Sequence, residues 1–533
     1  MPQLFLKKVE VKRIDHKPHD GNLAELLCAL SFATGIGFGG HIDHGLKSAS
    51  LGLQIADALS LSDQERAAVF YGALLKDVAC TACSAGLAAF LPDEQEISLA
   101  DVILIDPSRM SDMLGWLSHY VTLDARFPAR IAKLLSFIVQ CGTVTKEFMR
   151  GHCEIAELFA RQLDMPEHVQ QTVRFQWERW DGRGMAYGLK GTTIPITARI
   201  LHLAQVLELT HHFGDATKTI TIAQEKRGTR FDPAVVDAFL RIAQQTDFWS
   251  TFETQSTQEA ILARRPSTSA DSDRADHLER VCEALADFID IKVQETWHHS
   301  RMVAEIARDI GHVLGFPNAE LDRLRYAALV HDVGKVAIPF AILTRGEQRS
   351  SSEWENYYLH SYYTQRILER VPDLRELAPA AAAHHEWVNG QGYHRQLVGE
   401  QIPLHGRILA VANKYARLLQ QQGSQNISDE VLSQMHSLVG SQLDTMCYDA
   451  LVRALTKKGH GRWTPIARKV GSLTARECEV LTLLVQGYNT PQIARRLGVS
   501  KKTIEHHLTH IYQKIGVTCR TAAVVYAVQH GFT

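Results

Sequence analysis

The sequence predicts a mostly α protein: two related helical halves followed by a small helical bundle. Three observations carry that reading. Apolar residues recur at helical spacing, as in Arg301 to Leu314, where Met302, Ile306, Ile310 and Val313 share a face. No series of alternating strand patterns interrupts them. And the chain repeats itself, with matched spacings between the two copies.

The repeat is read residue by residue. His44 matches His299, and Lys76-Asp77-Val78 matches His331-Asp332-Val333. His152 matches His360, and the stretch from Glu178 to Gly184 matches Glu386 to Gly392. Gln205 falls opposite Asn413. Two linkers separate these parts: Arg264 to Asp273 is rich in Pro, Ser and charge, and Lys457 to Ser472 is basic with Gly and Pro. The expected division is 1–263, a linker at 264–274, 275–456, a linker at 457–471, and 472–533.

Bulk properties fit a multidomain globular chain. The 533 residues predict three or four domains, and 45% hydrophobic with 22% charged residues is ordinary. From Thr464 onward nine Lys and Arg face three Asp and Glu, while the whole chain is at −2. A basic tail on an acidic body suits nucleic acid. Nine scattered cysteines read as reduced thiols, and the lone Cys80/Cys83 pair as two buried thiols. Met1 to Asp15 has no apolar core, and no apolar run approaches the roughly 18 residues of a membrane span. The expectation is a cytoplasmic protein without a membrane partner.

The tail spells out three helices. Thr474 and Glu477 form a capping box, and Gly487 ends the helix they start. Thr490 is read as the next N-cap, with Pro491 at the first helical position. Gly498 turns the chain and Ser500 caps a third helix with an apolar stripe of Ile504, Leu508, Ile511 and Ile515. Its opposite face holds Lys502, His506, Thr509, His510 and Gln513, groups suited to base edges and phosphates. Lys501 and Lys502 stand at the helix N-terminus, where phosphate is favoured. Short helix, Gly turn and capped helix make a helix-turn-helix.

LTARECEVLTLLVQGYNTPQIARRLGVSKKTIEHHLTHIYQKIGV closely resembles the LuxR/NarL-type DNA-binding domain. The resemblance implies double-stranded DNA as partner and a homodimer. It places Glu505, His506 and Thr509 on bases, and Lys502, Thr503 and Lys514 on phosphates.

The second copy carries a second chemistry. His299, His331, Asp332, His360, His384 and His385 are six nitrogen and oxygen ligands. Asp332 is placed to bridge two ions, with His299 and His331 on one and His360, His384 and His385 on the other. Without thiolates, iron or manganese suits this set better than zinc. One or two divalent ions there would support phosphate-ester hydrolysis. HSRMVAE, LVHDVGK, His360, HHEWVNGQGY and RILAVANKY resemble the HD-GYP family of HD phosphohydrolases, whose best-known substrate is cyclic di-GMP. The resemblance implies catalytic roles for Asp332 and for Lys335, which would hold a phosphate.

Departures from the family pattern decide between two readings. Asn413 replaces the family's last metal-binding Asp, Asn389 the Asp of its DGxGYP segment, and His394 its Pro. A neutral Asn413 should weaken the first metal. In the first copy Lys76, Cys80, Gln176, Trp177 and Gln205 replace ligands, so it reads as a metal-free scaffold. The leading expectation is therefore a transcription regulator whose worn pocket senses a ligand, with a nucleotide as the candidate, and controls DNA binding. The alternative is a working metal-dependent phosphodiesterase with an attached DNA reader.

Overall fold

The computed structural model describes residues 23–37, 42–79, 115, 146–184, 186–254, 257–266, 274–293, 298–422, 429–458 and 473–532. Cys80, Cys83, the N-terminal segment and most of both predicted linkers lie outside the described residues. Among the described residues there are helices and three isolated bridges, with no strands. No helix among them is long and apolar enough to cross a membrane.

The first copy contains α1 (Leu23–Gly37), α2 (His44–Ala58), α3 (Asp63–Leu75), α4 (146–162), α5 (Glu167–Arg174) and α6 (Ile196–His212). The second contains α7 (Arg274–Lys292), α8 (His299–Val313), α9 (Asn318–Leu329), α10 (Ser351–Glu369), α11 (Ala378–Ala382), α12 (Leu404–Gln421) and α13 (Thr445–Lys458). Local chemistry sets the boundaries. Ser62 with Glu65 and Ser350 with Glu353 close capping boxes at α3 and α10, each satisfying two otherwise orphaned amides.

The repeat is structural as well as sequential. His44 and His299 each open a helix, α2 and α8. In the first copy Glu178 accepts the amides of Tyr187 and Leu189 at 2.6 and 2.8 Å; in the second Glu386 accepts those of Arg395 and Leu397 at 2.7 and 2.9 Å. Both glutamates clamp the same loop, a role that the spacing alone did not reveal.

The halves are not separate bodies. The equivalent helices α1 and α7 pack on one another, and α1 also lies against the turn Val333–Ala337 of the second copy. Arg370 from the second copy covers the Phe32 ring at 4.1 Å and pairs with Asp43 at 2.8 Å. One apolar core runs from α1 through α7 and α8 into the C-terminal bundle.

That bundle holds α14 (Ala475–Val485), α15 (Thr490–Leu497), α16 (Lys501–Ile515) and α17 (Arg520–Gln529). The Thr474–Glu477 capping box is present, Gly498 takes φ +66°, and Ser500 accepts the Thr503 amide at 3.1 Å. The second helix starts one residue earlier than predicted. Asn489, not Thr490, is its N-cap, because Asn489 and Gln492 exchange hydrogen bonds at 2.8 and 3.0 Å.

Candidate metal centre and DNA-reading bundle

Four elements bring the second copy's ligands together. α8 contributes His299 from its first position, and the turn after α9 contributes His331 and Asp332. α10 contributes His360, and the segment after α11 contributes His384 and His385. The turn reaches α10 because residue 334 has no side chain: a Cβ on Gly334 would sit 2.0 Å from the His360 carbonyl oxygen and 2.4 Å from the Thr364 amide nitrogen. Thr364 locks this contact, accepting the Gly334 amide at 2.9 Å and donating to the His331 carbonyl at 3.0 Å.

Asp332 stands at the centre, and its two oxygens divide the site. Oδ2 faces His331 Nε2 at 3.2 Å, His299 Nε2 at 3.8 Å and Lys335 Nζ at 2.5 Å. Oδ1 faces His384 Nε2 at 3.3 Å and His360 Nε2 at 3.6 Å. The potential ligand atoms form two groups, His299, His331 and Asp332, and His360, His384 and His385, each within 4.8 Å. This is the grouping that the sequence predicts.

The backbone fixes which nitrogen points inward. His331, His360 and His384 each donate Nδ1–H to the carbonyl three residues earlier, at 2.7, 2.6 and 2.6 Å. Nε2 then carries the lone pair toward the centre, the arrangement that metal-binding imidazoles need. His331 Nε2 and Asp332 Oδ1 are buried without a hydrogen bond of acceptable geometry, although charged neighbours approach them. Imidazole nitrogens converging on a carboxylate, with two of these buried atoms lacking a hydrogen bond, suit a shared cation, so the residues present fit a divalent ion.

Electrostatics agree. Burial pulls His299 down to about 3 and His384 to about 4, and holds His360 and His385 well below the usual imidazole range. They are neutral near pH 7, as ligands must be. Burial alone would raise the Asp332 carboxyl, but His331 and Lys335 outweigh it and keep it ionised.

The substituted positions take definite places. Asn413 sits on α12 with Oδ1 2.9 Å from His299 Nε2, so an oxygen remains where the family has a carboxylate, without its charge. Asn389 accepts the Gln391 amide at 3.0 Å, as Asp181 accepts that of Arg183 at 3.0 Å in the first copy. That position shapes a turn in both copies. Two neighbours were missed from the sequence. Arg417, four residues after Asn413 and so on the same face of α12, lies in the field of Tyr357, Tyr393 and Asp332. Tyr393 stacks on His385, centroids 4.7 Å apart and 23° between planes.

The first copy has spent its equivalent groups internally. Lys76 is fully buried and pairs with Asp77, while His44 pairs with Glu208. His152 and Gln176 both donate to the Lys76 carbonyl, at 3.0 and 3.1 Å. An ammonium supplies the positive charge beside Asp77.

In the bundle, Lys501, Lys502, Thr503, Glu505, His506, Thr509 and His510 are all exposed on α16, and the stripe Ile504, Leu508, Ile511 and Ile515 is buried. His507 is half-buried. Lys514 is placed differently from expectation. Its ammonium binds both carboxylate oxygens of Glu477, at 2.9 and 2.6 Å, and so staples α16 to α14. Its ammonium thus also serves the bundle's own fold.

Comparison with known proteins agrees with both sites. The HD domain family matches residues 125–235 and 283–446, more than half of the chain. This chain belongs to the HD domain family. The bacterial regulatory proteins of the luxR family match residues 471–527, so the HD protein ends in a luxR-type helix-turn-helix domain. It is similar to 3'3'-cGAMP-specific phosphodiesterase 3 of Vibrio cholerae, 26% identical over 81% of this chain and 94% of the relative. It is also similar to a cyclic di-GMP phosphodiesterase of Thermotoga maritima, 29% identical over 33% of this chain and 50% of the relative. The C-terminal domain is similar to the transcriptional regulatory protein DegU of Brevibacillus brevis, 45% identical over 11% of this chain and 25% of the relative. The fold resembles the crystal structure of a cyclic GMP-AMP specific phosphodiesterase of V. cholerae, with a TM-score of 0.55 and 24% identity over 81% of this chain and 97% of that one.

Proposed function

We propose that this HD-domain protein is a metal-dependent phosphodiesterase of cyclic dinucleotides, with 3'3'-cGAMP and cyclic di-GMP as the candidate substrates, joined to a DNA-reading domain. One observation carries the reading: the two oxygens of Asp332 face two separate pairs of histidines, His299 with His331 and His360 with His384, through their Nε2 atoms. A packed relic has no reason to keep that division. The similarity to cyclic-dinucleotide phosphodiesterases over most of the chain supports the substrate class.

His299, His331 and Asp332 would hold one divalent ion, and His360, His384, His385 and Asp332 a second; iron or manganese suits these donors best. Bound there, such ions would acidify a water and polarise the phosphodiester. The chain's own residues do the rest. Lys335, already 2.5 Å from Asp332, offers a buried ammonium to a phosphate oxygen as negative charge grows there. Arg417 supplies a second fixed cation on the same side. Burial excludes competing water and keeps the imidazoles neutral.

Asn413 favours a second reading. A neutral oxygen holds the first ion less tightly than a carboxylate would, so a pocket that binds nucleotide without turnover is the competing function. Either way, the exposed face of α16 would read duplex DNA. The deciding experiment is elemental analysis of the purified protein, followed by hydrolysis assays with both dinucleotides and manganese. Turnover that falls at least 100-fold in Asp332→Ala supports the phosphodiesterase. Tight dinucleotide binding by metal-loaded protein with no turnover supports the sensor instead.

A further inference from the structure

The metal helix and the DNA reader meet at one place. His298, directly before His299, donates from Nε2 to the carbonyl of Phe532 at 3.1 Å. It is buried and held at φ +58°, a left-handed conformation that a histidine keeps only when its surroundings impose it. A second route runs beside the first. Gln529 at the end of α17 donates to Gln162 of α4 at 2.8 Å, and Gln162 donates to Asp287 of α7 at 2.6 Å. Asp287 then accepts both guanidinium arms of Arg301 at 2.9 and 2.8 Å, one turn into α8. Both routes end on the first turn of α8, on either side of His299. Farther along, Thr518 is anchored to Glu154 of α4 at 2.9 and 2.6 Å.

We propose that this turn makes DNA binding respond to metal occupancy: loading the centre loosens the docked reader and raises the affinity of the full chain for duplex DNA. The inference rests on the metal-site reading above. Its logic is local. His299 places Nε2 2.9 Å from the Asn413 oxygen and Nδ1 3.1 Å from the Gln420 oxygen, so its single proton is shared between α12 partners. A metal needs the Nε2 lone pair, so ligation fixes the His299 proton on Nδ1 and replaces any hydrogen bond to Asn413; in the proposal this change re-sets the first turn of α8. That turn is what His298 and Arg301 use to hold the reader. Duplex DNA prefers the released state on electrostatic grounds. Docked, the basic bundle sits on a body of net negative charge that repels the duplex; released, it meets DNA without that repulsion. Linkage makes the effect reciprocal, so DNA raises metal affinity by the same factor.

The test measures anisotropy of a labelled duplex pool with the full-length protein, manganese-loaded and metal-free, at one fixed salt concentration. Loaded protein should bind on the order of tenfold more tightly, within the usual range for coupled sites. The double variant Gln162→Ala/Gln529→Ala should bind with the higher affinity in both forms, with unchanged manganese content and unchanged helicity. Equal or weaker DNA binding by loaded wild-type protein of verified metal content overturns the coupling but leaves the metal centre standing. A metal response retained in the double variant also overturns it, because bulk charge on the body would then suffice. Failure to load any metal removes the site itself and the coupling with it.

Discussion

Single residues separate the candidate metal centre from its copy. Asp332 and Asp77 occupy matching positions, but one is ringed by imidazoles and the other is neutralised by Lys76. Asn413 is the residue on which the proposed activity turns. Asn413→Asp restores a charge beside His299 and should tighten manganese binding about 10-fold or more, within the range seen for metal-site supporting residues; titration calorimetry reads this directly. Weaker binding would show that the amide is tuned to this pocket. At the other end of the chain, the exposed His506 and Thr509 should carry sequence preference. His506→Ala with Thr509→Ala should erase preference among duplex sequences more than general affinity, because phosphate contacts survive. Footprinting that returns an unchanged preferred sequence would place the reading face elsewhere.

Elements depend on close contacts that one residue permits. The turn Val333–Ala337 packs on α10, and at Gly334 the approach leaves no room for a Cβ. Gly334→Ala should push the turn from α10, cost about 3 kcal/mol, and abolish metal loading together with stability. Retained metal in a stable Ala variant would show that the turn has room to move. In the bundle, α14 and α16 are joined through Glu477, whose hydrogen bonds to Lys514 and Thr474 hold its carboxyl down at about 2. The sign follows from that depression. The contribution is full above the unfolded carboxyl value near 4.5 and is lost as pH falls from there toward about 2. Glu477→Gln should therefore loosen α14 by roughly 1–2 kcal/mol at pH 7, with the difference shrinking below pH 4. Hydrogen exchange of the α14 amides across that range checks it, and a pH-independent difference would point to packing rather than charge.

At the scale of the molecule, the two copies and the bundle share one apolar core. The large body and the small reader suggest that the body carries dimerisation, since duplex half-sites are usually read by two-fold pairs. Sedimentation of the full chain should show a dimer; a monomer both free and on DNA would exclude this. The sequence alone determined the helical class, the repeat and the helix-turn-helix, and picked out the six candidate ligands, because helical periodicity, capping residues and residue spacing are local properties that survive in one dimension. It placed the second bundle helix one residue late, because Thr490 and Asn489 are both good caps and only the Gln492 partner decides. The partner of Lys514 was not legible for a different reason: Glu477 lies thirty-seven positions away and meets it only in the fold. The inward tautomers at Asp332, the turn-forming role of Asn389, the place of Arg417 and the meeting of His298 with Phe532 were likewise settled only in three dimensions. Each depends on which distant groups share a buried volume, and burial decides which polar atoms must find partners and which are left to face a ligand.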